Sequence, residues 1–162
     1  MKLEFWRTTM VGNTEAGLGW PRKVEQYIVR EIKNSNNVLN LFSGRSLIGN
    51  VRVDTKRPEA THNQNVLDFI KENNNFYDYI IADPPYKIMD SYDKENALLM
   101  CNRGDLLKWL KSHTNNILWL DWRIPRLTAA FHIKHLALIE TCPWEHIRVF
   151  THLTKKRVGD FG

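Results

Sequence analysis

Cysteine is scarce in this 162-residue chain, with only Cys101 and Cys142 present. They are far apart and form no Cys-x-x-Cys pair, so a structural zinc site, which needs more ligands at tighter spacing, is not expected. Two thiols in a reducing cytosol also argue against a disulfide. No apolar run reaches the ~18 residues that would suggest a membrane span. The opening Met1-Lys2-Leu3-Glu4-Phe5-Trp6-Arg7 lacks the apolar core of a secretory signal. Proline and glycine stand at ordinary levels, 6 and 8 residues, which sets aside collagen-like and low-complexity chains. No internal repeat or dividing linker is visible. The expectation is one soluble, cytoplasmic domain over residues 1–162.

Apolar residues make up 43% of the chain, enough for a full core. The net charge is +5 and the pI about 9.3. A basic surface concentrates polyanions, and nucleic acid becomes a sensible partner if a site that acts on it is also present.

Asparagine-rich turns at 34–37, 73–75 and 115–116 come before three short apolar runs: Val38-Leu39-Asn40-Leu41-Phe42, Tyr79-Ile80-Ile81-Ala82 and Ile117-Leu118-Trp119-Leu120. Such runs suit strands buried on both faces, as in parallel sheets. Pro21 can open a helix whose Val24, Tyr27, Ile28 and Ile32 share one face. Leu98, Leu99, Leu106, Leu107 and Leu110 predict one or two helices broken near Gly104. Leu127, Ala130, Phe131 and the segment from Lys134 to Leu136 predict another. Leu136 to Ile139 and Ile147 to Leu153 alternate as a closing antiparallel pair. Strands alternating with helices imply an α/β sandwich. His132 and His135 stand three apart on one expected helix with no third ligand nearby, so no metal is expected.

Asp83-Pro84-Pro85-Tyr86 follows the second of these strands, at the strand end where open α/β sheets bind ligands. Two prolines fix φ and remove two N–H donors, which holds the loop carbonyls in set directions. An exocyclic amine has two hydrogens to offer. The Asp83 carboxylate can accept one and the Pro84 carbonyl the other. That arrangement draws the nitrogen lone pair out of ring conjugation and aims it at a methyl donor. The Tyr86 ring can stack on a base taken out of the duplex.

Residues 38–86 resemble the motif set of class I S-adenosylmethionine-dependent methyltransferases. The Asp83-Pro84-Pro85-Tyr86 loop resembles that of the N6-adenine DNA methyltransferases position by position. The resemblance implies a three-layer Rossmann-like sandwich, mostly parallel, with one antiparallel strand near the C-terminus. Val38 to Gly44 is similar to the family's first motif, which gives Phe42, Ser43 and Gly44 as cofactor contacts. Val51-Arg52-Val53-Asp54 is similar to the second strand, whose terminal acid, here Asp54, accepts from both ribose hydroxyls. Asn65-Val66-Leu67-Asp68-Phe69 is similar to the third motif. There Asn65 takes the place of an acid that meets the adenine amine, with Val66 beside the ring and Asp68 a second candidate. Asp83 borders both cofactor and substrate. Trp20-Pro21-Arg22-Lys23-Val24 is similar to the segment near the methionine end of the cofactor, with Trp20 also a core candidate. The family's second glycine is replaced, giving Gly44-Arg45-Ser46. Only Ser43 to Asn50 separates the first two strands, so the first crossover is shortened to about one turn or the strands pair differently.

Lys87, Trp122 and Arg123 are the candidate nucleic-acid contacts, with Arg45, Arg52, Lys56, Arg57 and the closing Lys155-Lys156-Arg157 as further basic residues. No target-recognition insertion fits between the motifs. The expected activity is methyl transfer to adenine N6 in DNA by a monomer or homodimer. An RNA enzyme acting on adenine N6 or guanine N2 is the alternative, since similar Asp-Pro-Pro loops act on guanine N2 in ribosomal RNA. A third reading is a cofactor- or nucleic-acid-binding module without catalysis.

Overall fold

The computed structural model describes residues 1–8, 20–85, 103–141 and 144–156, without the side chains of 141–146. Eight strands form one sheet in the order β1-β7-β8-β6-β5-β2-β3-β4. They are β1 Lys2–Thr8, β2 Val38–Leu41, β3 Val51–Asp54, β4 His62–Asn63, β5 Tyr79–Ala82, β6 Asn116–Asp121, β7 Phe131–Thr141 and β8 Trp144–Lys155. Only β8 runs against its neighbours, β6 and β7; every other pairing is parallel. This is the expected mixed sheet with one reversed strand near the C-terminus.

The three helices of the described residues are α1 Arg22–Ile32, α2 Val66–Glu72 and α3 Arg103–His113. The period-two alternation of the central strands sends side chains to both faces. Val38, Ile81, Leu118 and Leu120 pack with Val24, Tyr27 and Ile28 of α1. Leu39, Leu41, Ile80, Ala82, Ile117 and Trp119 pack with Phe69 of α2 and Leu106 and Leu110 of α3. Burial on both faces explains why these strands read as continuous apolar runs. Trp20 belongs to the α1-side core, and Pro21 occupies the cap position ahead of α1. No described helix is long and apolar enough to cross a membrane.

The first crossover is shortened beyond what a helix allows. β2 and β3 pair in parallel, yet residues 42–50 between them contain no helix. A knot of hydrogen bonds takes its place. Asn50 N donates to the Val38 carbonyl at 3.0 Å, Val38 N to Asn50 Oδ1 at 3.2 Å and Asn40 Nδ2 to the Ile48 carbonyl at 3.1 Å. Arg52 Nη1 reaches the Gly49 carbonyl at 2.7 Å, so this arginine braces the loop.

The structure differs from the sequence pattern at two strands. In place of the helix expected around Leu127 to Leu136, residues 127–130 form loop and turn and β7 begins at Phe131, which places His132 and His135 on a strand. A register irregularity between Ile133 and His135 interrupts the alternation there, and the interrupted pattern mimics helical spacing. Gly104 is the second residue of α3 as described, where an added Cβ would meet nothing within 4 Å, and the segment before Arg103 lies outside the described residues. β1 was not among the expected strands. It is an edge strand that turns Trp6 into the α1-side core while Leu3 and Phe5 stay exposed. Leu98 and Leu99 lie outside the described residues, as do both cysteines.

Candidate active site

Register brings the chemistry-bearing residues to one edge of the sheet. Ala82 is level with Leu41 on one side and Trp119 on the other, and Leu41 is level with Val53. These four strands are parallel, so the residues just beyond them emerge together: Phe42-Ser43-Gly44 after β2, Asp54 closing β3, Asp83-Pro84-Pro85 after β5, and Asp121-Trp122-Arg123 at the end of β6. A doubly wound sheet gathers its ligand-binding groups at this edge.

The loop after β2 turns sharply. Phe42 and Gly44 both adopt left-handed backbone, with φ of 57° and 55°. Glycine does this freely, whereas a phenylalanine there is uncommon and stores strain. Ser43 N donates to the Val53 carbonyl at 3.1 Å, and Gly44 N donates to Asp54 Oδ2 at 3.0 Å. Lys56 N donates to Asp54 Oδ1 at 3.1 Å. Asp54 is only 6% exposed, and the two backbone donors hold its carboxylate against the glycine turn.

One further polar group of this turn stands out. The Ser43 hydroxyl is buried and has no hydrogen-bond partner among the described residues. A buried orphan hydroxyl is costly unless a ligand or water completes it. Asn65 has a structural task as well: its side-chain oxygen caps α2 by accepting from Leu67 N at 2.8 Å. Val66 behind it is buried in the α2-side core. Asp68 lies in the first turn of α2 and pairs with Lys71 at 2.9 Å, both side chains being exposed.

Asp83 stands one residue beyond β5, half-buried, with Pro84 buried behind it. Two arginines absent from the sequence-based site set bear on this loop. Arg148 of β8 places Nη1 3.6 Å from Asp83 Oδ2. Arg103, at the start of α3, donates from Nε to Asp121 Oδ2 at 2.7 Å and from Nη2 to Asp121 Oδ1 at 3.3 Å. The same Nη2 also donates to the Pro85 carbonyl at 3.2 Å. Asp121 in turn accepts from Trp122 N at 2.7 Å. The loop is therefore fixed from its Asp83 end and its Pro85 end by cations on different elements. One sequence signal for Arg148 exists: it is a charged residue inside the otherwise apolar alternation Ile147 to Phe150.

Trp122 and Arg123 are exposed beyond β6 at the same edge. Tyr86 and Lys87, the other members of the expected substrate side, lie outside the described residues. The structure thus brings together Phe42, Ser43, Gly44, Asp54, Asp83, Pro84, Pro85, Trp122 and Arg123 at one edge, with Asn65 and Val66 opening α2.

A second polar cluster lies under α1. His152 is fully buried, and its Nδ1 shares a 2.9 Å hydrogen bond with the Tyr27 hydroxyl. Burial first, then Lys134, His135 and His132, push its imidazole pKa down to about 3. Burial likewise lowers His135 and raises Tyr27. Glu31 anchors the cluster's rim through Lys134 at 2.6 Å.

The fold is shared with a protein of Escherichia coli named, provisionally, as the methyltransferase yhhF. The superposition has a TM-score of 0.50 and covers 93% of this chain and 98% of that one, at 9% identity. A provisionally named RNA methyltransferase of Pyrococcus horikoshii is a weaker likeness, with a TM-score of 0.48 at 12% identity over 93% of this chain and 88% of that one. No protein-family model and no curated sequence matches the chain. At such identities the likeness is one of architecture: the chain has a Rossmann-like methyltransferase fold.

Proposed function

We propose that residues 1–162 form an S-adenosylmethionine-dependent methyltransferase domain that acts on the N6 amine of adenine in DNA. The observation that carries the reading is the register of β2 and β5. It sets the Ser43-Gly44 turn beside Asp83-Pro84-Pro85 on adjacent parallel strands, so a cofactor on the first would face a substrate on the second. Asp54, tied to Gly44, supports the ribose side of that placement.

When bound, S-adenosylmethionine supplies an electrophilic methyl group. The protein's part is positioning. Asp83 accepts one N–H of the adenine amine and the Pro84 carbonyl accepts the other, which directs the nitrogen lone pair out of the ring plane. Holding both reactants in this attitude provides most of the catalysis. As nitrogen gains positive charge, the Asp83 carboxylate stabilises it. Trp122 and Arg123, exposed beside the loop, suit contacts with the polymer around an extruded base, and Tyr86 and Lys87 extend the same loop. The net charge of +5 favours a polyanionic substrate.

With methyl-labelled cofactor, label should enter DNA as N6-methyladenine, and Asp83→Ala should reduce transfer by on the order of 10²–10³-fold, the scale for losing one preorganised polar contact to developing charge. Label found only in RNA would move the substrate to an RNA base. Tight cofactor binding with no transfer to any nucleic acid would leave a non-catalytic module.

A further inference from the structure

Between α1 and the strand pair β1 and β7, polar and aromatic side chains enclose a cavity of about 470 Å³, within the size range of small-ligand sites. Its floor is aromatic. Trp6, Tyr27 and His135 are all buried, with the Tyr27 and His135 rings stacked at 4.7 Å and Trp6 5.2 Å from His135. Its rim is cationic, with Lys2, Lys23, Arg30 and Lys134 set against Glu4 and Glu31. Both carboxylates are engaged: Glu4 pairs with Lys2 and accepts from Trp6 Nε1 at 2.6 Å, and Glu31 pairs with Lys134 at 2.6 Å. Arg30 lies over the Tyr27 ring, 4.9 Å from its centroid and 3.9 Å from Glu31, with its side chain 70% exposed. A guanidinium lying on a ring face presents its N–H edge to the solvent side, the edge that pairs with phosphate. His135 Nε2, in the floor, has no hydrogen-bond partner among the described residues and stands 3.5 Å from Glu4 Oε2. A buried polar atom left in this way is costly until a further polar group reaches it.

Strand register sets this cavity close to the candidate catalytic loop. Trp6, Ile139 and Arg148 stand in one row across β1, β7 and β8. Trp6 and Ile139 belong to the α1-side core, and cross-strand partners share a face. Two strand spacings therefore put Trp6 about 10 Å from Arg148, the arginine beside Asp83. A nucleic-acid strand with one base held at Asp83 has the cavity within reach of a neighbouring nucleotide. An aromatic floor under a cationic rim is the combination by which proteins hold single-stranded nucleic acid. We propose that this cavity takes a nucleotide flanking the target base, with the phosphate on Arg30 at the rim and the base toward the aromatic floor. The inference rests on the reading of the chain as a nucleic-acid base methyltransferase. A free nucleotide offers the same phosphate, so the test separates the two sources.

The test follows the Trp6 indole N–H by proton–nitrogen correlation spectra while wild type is titrated with single-stranded DNA and RNA oligonucleotides of about eight nucleotides and, separately, with AMP. An oligonucleotide should shift this signal. Arg30→Gln should weaken oligonucleotide binding roughly tenfold, the scale of one charge-assisted contact. It should also lower the slope of log affinity against log salt by about 0.7, the single-strand value for one phosphate. Gln26, exposed on α1 and lining the same cavity, gives a test of sign: Gln26→Glu should weaken binding and Gln26→Lys should strengthen it. The wild-type titration stands should a variant fold poorly. No Trp6 shift with either oligonucleotide, a shift with AMP alone, or affinity unchanged in Arg30→Gln and Gln26→Glu alike overturns the proposal. Absence of wild-type methyl transfer to DNA and RNA alike would overturn the function itself, an outcome read in an assay separate from the Trp6 shift.

Discussion

Arg103 Nε meets Asp121 Oδ2 at 2.7 Å while its Nη2 reaches the Pro85 carbonyl at 3.2 Å, so the start of α3 ties the end of β6 to the candidate catalytic loop. The Asp121 side chain is 7% exposed and that of Arg103 23%. Removing the arginine alone strands a nearly buried carboxylate. Arg103→Ala should cost about 2–4 kcal/mol, below the fully buried case because the guanidinium keeps some solvent. The double change Arg103→Met with Asp121→Leu should recover part of that loss. Urea denaturation checks both, and a single-variant cost under about 1 kcal/mol would contradict the clamp.

Gly49 and Gly104 should respond to alanine in opposite directions. Gly49 has φ +95°, and a Cβ there would stand 3.0 Å from the Val38 carbonyl oxygen that Asn50 N uses. Gly49→Ala should destabilise by about 1–3 kcal/mol, since both the backbone and the space oppose it. Gly104 has open space and helical neighbours, so Gly104→Ala should gain up to about 0.5–1 kcal/mol. Thermal denaturation of the two variants reads the sign directly.

His152 makes stability depend on pH in a known direction. Its folded pKa of about 3 lies below the ordinary 6.5, so between these values the unfolded chain binds the proton and the native chain does not. Stability is therefore fully present above the ordinary value and is lost as pH falls toward the folded one. By pH ~4.5 the loss through this one group approaches about 2–3 kcal/mol. His152→Gln, which keeps a polar atom near Tyr27 but does not titrate, should flatten the slope of denaturation free energy between pH ~6.5 and ~4.5. An unaltered slope would place the acid sensitivity elsewhere.

The central strands were legible because double burial leaves an unbroken apolar run, as in Tyr79 to Ala82 and Ile117 to Leu120. Asp83 was legible because it closes such a run, and Asp54 because Val51-Arg52-Val53-Asp54 resembles the second strand of the methyltransferase motif set. The start of β7 was not, because the irregularity between Ile133 and His135 breaks the two-residue period by which strands are recognised. β1 was obscured by its edge position, where Leu3 and Phe5 point to solvent and leave a pattern that burial does not enforce. Arg103 and Arg148 reach the site from segments distant in sequence. Their roles depend on strand order, with β8 inserted between β6 and β7, and no local pattern encodes that order.

Mass spectrometry of nucleosides, after DNA and RNA have each been incubated with the protein and methyl-labelled S-adenosylmethionine, tests the central claim most directly. Labelled N6-methyl-2′-deoxyadenosine is expected from DNA, lost with Asp83→Ala. Label confined to RNA nucleosides would contradict the choice of DNA, and no labelled nucleoside from either polymer would contradict the proposed activity.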